Sequence, residues 1–97
     1  MATYVVLANF TEQGIKNVMD TRKRSEAVKA MAQKIGVTVK EVYWTLGTYD
    51  IVAIFEAPDE AAMTALGLSL GKLGNVRTQT LRAFTAADMQ GILGKVV

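Results

Sequence analysis

The chain has 97 residues, 51% hydrophobic and 21% charged, with 11 basic and 9 acidic side chains for a net charge of +2. That length holds one hydrophobic core and leaves no room for a second, so one domain spanning 1–97 is expected. With no cysteine and no histidine, disulfides, thiolate chemistry, the commonest general base and the usual haem and transition-metal ligands are excluded.

In chain order, Thr3 to Phe10 is rich in Val, Leu and aromatics and predicts a strand. Glu12 to Ile35 predicts helix, but its two apolar stripes, Ile15, Val18, Met19 and then Val28, Met31, Ala32, Ile35, are out of phase at 100° per residue. A break near Asp20-Thr21 follows, either residue being able to cap a new segment, and Gly36 serves as C-cap. Thr38 to Leu46 alternates, with Val42, Trp44 and Leu46 opposing Glu41, Tyr43 and Thr45, and predicts a second strand. Gly47-Thr48 suits a two-residue type II′ hairpin into a third strand, Tyr49 to Ala57.

Asp59 is placed to cap a helix whose inward stripe is Ala62, Leu66, Ser69 or Leu70, and Leu73, ended by Gly74. Asn75 to Phe84 predicts the fourth strand, and Thr85 with Asp88 has capping-box spacing for a short terminal helix carrying Met89, Ile92 and Leu93. The order βαββαβ is the ferredoxin-like α+β arrangement, with four antiparallel strands in the order 4-1-3-2.

A half-wet antiparallel sheet alternates apolar with polar residues. The first and third strands do not: Tyr4, Val6, Ala8 and Phe10 oppose Val5 and Leu7, and Ile51, Ala53 and Phe55 oppose Val52 and Ile54. Two long helices cover one face, and the terminal helix is too short to roof the other. A second copy packed sheet on sheet is the expected cover, giving a homo-oligomer; a monomer with very apolar strands is the alternative.

The topology brings Asn9, Thr11, Tyr49, Asp50, Asn75 and Arg77 to one edge of the sheet, a polar rim of the kind that holds a small ligand. Local roles stand beside that reading: Asp50 accepting backbone N–H groups or pairing with Arg77, and Tyr49 packing over the turn. Trp44 reads as core or interface more readily than as a stacking platform. Arg22-Lys23-Arg24 reads as a solvated helix face, or as an anion site at a fresh helix N-terminus.

Gly47-Thr48-Tyr49-Asp50-Ile51-Val52, Glu56-Ala57-Pro58-Asp59-Glu60 and Gly74-Asn75-Val76-Arg77-Thr78-Gln79-Thr80-Leu81-Arg82-Ala83-Phe84 together resemble the GYD domain family, nearly along the whole chain. The resemblance implies a dimeric α/β-barrel type of assembly and supplies no function. A more distant similarity, through the Gly-x-Tyr-Asp hairpin, is to ligand-binding domains of leucine-responsive-type regulators, without their DNA-binding helices.

Two functions follow as expectations. The first is a non-catalytic, cytoplasmic, homo-oligomeric domain that binds a small metabolite or serves assembly, with Asn9, Trp44, Tyr49, Asp50, Asn75 and Arg77 as candidate ligand-binding residues. The second is a cofactor-independent enzyme of the dimeric α/β-barrel class, oxygenase- or lyase-like, in which Asn9 and Trp44 take the parts that Asn and Trp play in that class. No cofactor, nucleic acid or membrane partner is expected. The apolar N-terminal run, Tyr4 to Ala8, is too short for a signal peptide.

Overall fold

The computed structural model describes all residues, Met1–Val97. Strands β1 (Ala2–Phe10), β2 (Thr38–Trp44), β3 (Ile51–Ala57) and β4 (Val76–Ala83) form one antiparallel sheet in the order β2-β3-β1-β4, the expected order read from the other edge. Helices α1 (Glu12–Lys16), α2 (Thr21–Ile35), α3 (Glu60–Leu73) and α4 (Ala86–Leu93) complete the chain.

The expected helix break is real. Helix α1 ends at Asn17, a 3-10 turn spans Val18–Asp20, and α2 starts at Thr21. Asp20 stands at the N-cap position but makes no side-chain capping bond. The second stripe faces the core, Ala32 fully buried with Val28, Met31 and Ile35 against it. The first stripe does not: Ile15 is exposed and Met19 is 93% exposed. On α3 the buried residues are Met63, Leu66 and Leu70, whereas Leu73, expected inward, is exposed near the helix end. Gly36 and Gly74 both adopt φ +82°, the left-handed C-cap conformation that disfavours a Cβ.

The hairpin corrects a second expectation. Trp44 pairs with Ile51, and the Thr45 N–H donates to the Asp50 carbonyl at 2.8 Å. That bond encloses Leu46 to Tyr49, a four-residue loop with Gly47 at φ +102°, in place of the two-residue turn.

Burial along β1 and β3 alternates on one face only. Tyr4, Val6, Ala8, Ala53, Phe55 and Ala57 are buried beneath α2 and α3, while Val5, Leu7, Val52 and Ile54 on the opposite face are half-buried. The molecule is 50 × 31 × 18 Å. A thickness of 18 Å accommodates one sheet and one helix layer, since a helix with its side chains is itself about 10–12 Å across. Helix α4 roofs nothing. Its capping box is complete, Thr85 Oγ1 accepting from the Asp88 N–H and the Asp88 carboxylate from the Thr85 N–H. That backbone N–H holds the Asp88 carboxyl below its ordinary pKa, yet every residue of α4 is exposed, Leu93 at 61%.

Candidate functional site

The candidate residues meet where β1 ends and β3 and β4 begin. Register fixes this: Ala8 lies opposite Ile51, Asn9 opposite Arg77, and Phe10 opposite Val76. What the strand pattern alone does not show is that the group divides between the two faces of the sheet.

Asp50 lies in the seam. Its N–H donates to the Ala8 carbonyl at 2.9 Å, and its Oδ2 accepts from the Phe10 N–H at 2.9 Å. The carboxylate thus supplies an acceptor to β1 beyond the last β1–β3 ladder pair, Ala8–Ile51. This explains an acidic residue at the mouth of an apolar strand: the shorter partner strand ends, and a side chain completes the pairing of the longer one. No ion pair joins Asp50 to Arg77; the two in the chain are Lys29–Glu26 and Lys40–Glu56. Replacing Asp50 with Ala strands the part-buried Phe10 N–H, so Asp50→Ala should cost about 1–3 kcal/mol in urea unfolding. A change below a few tenths of a kcal/mol would contradict this role.

On the open face, Asn9, Tyr49, Arg77 and Gln79 line a shallow depression of about 460 Å³ with Leu7 and Glu12. The Tyr49 hydroxyl donates to Gln79 Oε1 at 3.1 Å, laying the ring across the start of β4. Asn9 Oδ1 is buried with no hydrogen-bond partner within the chain. Gln79 is not among the residues that the sequence singles out; its alternation on a strand reads as edge polarity, and only the loop geometry brings Tyr49 to it.

Trp44 and Asn75 lie on the helix side instead. The Trp44 Nε1–H donates to Thr21 Oγ1 at 3.0 Å, tying β2 to the start of α2. Asn75 accepts from Gln13 Nε2 at 2.9 Å through its side chain and from the Thr11 N–H at 3.0 Å through its carbonyl. Thr11 also caps α1, its Oγ1 accepting from the Gly14 N–H. Within the basic run, Arg22 and Lys23 are exposed, while Arg24 folds back onto the Asn17 and Gly14 carbonyls at 2.8 and 3.2 Å. It therefore caps the end of α1. No helix of the chain is long and apolar enough to cross a membrane.

Comparison with known proteins agrees with this architecture. The model of the GYD domain family matches residues 4–93. A Thermus thermophilus protein named glutamine synthetase and cystathionine beta-lyase binding protein is 34% identical over 90 residues, covering 92% of this chain and 95% of its own. Among solved structures, FFRP-DM1 superposes with a TM-score of 0.63 at 22% identity, over 87% of this chain and 100% of that one. TTHA0845, also from Thermus thermophilus, gives a TM-score of 0.56 at 28% identity, over 89% and 96%. The chain belongs to the GYD domain family.

Proposed function

We propose that this member of the GYD domain family is a non-catalytic assembly domain of the cytoplasm, which self-associates through the open face of its sheet and in that form binds a protein partner. The observation that carries the reading is the uncovered apolar face: Val5, Leu7, Val52 and Ile54 at its centre, with Tyr43 and Leu81 beside them. Around this centre lie Glu41, Glu56, Arg77 and Gln79. An apolar middle with a polar rim is the anatomy of a protein interface.

Size bears on the mode of assembly. Four strands about 4.8 Å apart and roughly 20 Å long present on the order of 400 Å², about half of what one partner contributes to a standard interface. The remaining apolar surface lies close by in the chain, on the exposed Phe84, Met89, Ile92 and Leu93. We assign α4 to the same assembly, clasping a neighbouring copy.

The orphaned Asn9 Oδ1 and the Tyr49 ring sit at the border of this face, where a donor from a partner chain would satisfy the one and stack on the other. The name of the Thermus thermophilus relative concerns binding to two enzymes, which supports a protein partner over a metabolite at this rim. Immobilised wild-type chain is expected to bind purified glutamine synthetase or cystathionine β-lyase saturably, and Tyr49→Ala to weaken that binding about tenfold. Absence of binding by both enzymes would remove these partners, and an unchanged affinity in Tyr49→Ala would remove the rim as the contact.

A further inference from the structure

On the side of the sheet away from the open face, the core is incompletely filled. A cavity of about 150 Å³ lies between α2, α3 and the strands. Its floor is Val6, Ala8, Ala53 and Phe55, each at most 5% exposed. Ala53 stands mid-sheet, opposite Val6 on one neighbouring strand and Val42 on the other, and with Ala8 it supplies only methyl groups where larger side chains would reach the helices. Protein interiors rarely keep a void larger than a water molecule. An apolar void of this size stays dry and takes up a benzene-sized guest.

The lining restricts the kind of guest. The lining residues that are exposed, Ala27, Trp44 and Leu73, are as apolar as the floor. Polar groups at the margin are engaged within the chain: Thr21 Oγ1 accepts from the Trp44 Nε1–H, the Arg24 guanidinium donates to the Asn17 and Gly14 carbonyls, and Asn75 Oδ1 accepts from Gln13. No Asp, Glu or Lys lines the cavity. A charged guest would therefore shed its water and find no partner placed for it, which is costly. We propose that this cavity is a binding site for one small, uncharged, apolar molecule about the size of a six-membered ring, held by burial and dispersion. It is separate from the assembly face, which lies on the other side of the same strands.

The only tryptophan of the chain, Trp44, belongs to the lining and reports occupancy. Titration of the unmodified chain with ethylbenzene should change Trp44 fluorescence saturably and raise the unfolding temperature. Benzylammonium, nearly the same shape with a charge in place of the terminal methyl, should bind at least about tenfold more weakly, and so should benzoate. Ala53→Leu extends a side chain into the void, so it should raise the unfolding temperature of the unliganded chain and abolish the titration. Because added bulk in a core can also disturb folding, Ala27→Leu is the second variant, closing the cavity from its exposed lip while circular dichroism stays unchanged. Both variants should sediment with the mass of the unmodified chain. The proposal is overturned by a flat titration up to the solubility of ethylbenzene, by either charged analogue binding as tightly, or by a folded variant of either kind binding like the wild type. A lower mass in the folded variants would also overturn it, since a side chain from a second copy would then be the occupant.

Discussion

Gly14→Ala should be among the most destabilising single-methyl additions in this chain, lowering stability by about 2–4 kcal/mol. A Cβ built at Gly14 would lie 2.0 Å from the Asn75 carbonyl oxygen and 2.9 Å from its carbon. Neither atom can give way like the tip of a flexible side chain. That oxygen accepts the Thr11 N–H, and the adjoining Gly74 carbonyl accepts the Thr11 hydroxyl. Relief therefore separates the start of α1 from the turn before β4 and breaks contacts that fix the candidate rim.

Gly67→Ala is the matched control. Nothing lies within 4 Å of its added methyl, and alanine in a helix interior should stabilise by about 0.5–1 kcal/mol. For a domain of this size, each kcal/mol moves the unfolding temperature by about 4–8 °C, so the two variants should diverge well beyond error in melts at one protein concentration. Equal melting temperatures would mean that α1 and the Asn75 turn are not in the contact described.

The second large effect concerns assembly. Leu7 lies on the central strand of the open face, opposite Val52 on one side and Gln79 on the other. Leu7→Arg should leave the subunit folded, because in a lone copy the long side chain reaches solvent from that face. In the assembly it places an unpaired charge in a desolvated apolar centre, at a cost of about 3–5 kcal/mol. Self-association should weaken by roughly a hundredfold or more. Thr64→Arg, an exposed position on α3 on the other side of the sheet, should leave assembly intact. An unchanged mass in Leu7→Arg would shift the contact to another surface.

Much of this molecule is legible in its residues, for reasons that differ by element. The sheet order follows from βαββαβ because each connection has one economical handedness. The bare face follows from β1 and β3 being apolar on both sides, which no number of surface charges elsewhere obscures. The helix break at Val18–Asp20 shows as two stripes out of phase, although the stripes themselves do not say which one faces solvent. The rim is harder to read. Tyr49 and Asp50 look like the first residues of a strand, and strand parity would place them on opposite faces; in the fold they belong to a longer loop, with Asp50 completing β1 through its carboxylate. Trp44 and Asn75 share an edge with Asn9, while the face each occupies depends on register. Arg24 looks like one of three solvated cations. Only the short α1 and its turn bring the Asn17 and Gly14 carbonyls back to it. Gly14 has one sequence signal, a glycine inside a helical run, which marks close backbone approach without saying to what.

Sedimentation equilibrium of the unmodified chain, from low micromolar to the highest soluble concentration, bears most directly on the whole picture. A mass that is a multiple of 10.5 kDa is the result expected. A single 10.5 kDa species throughout that range would contradict it.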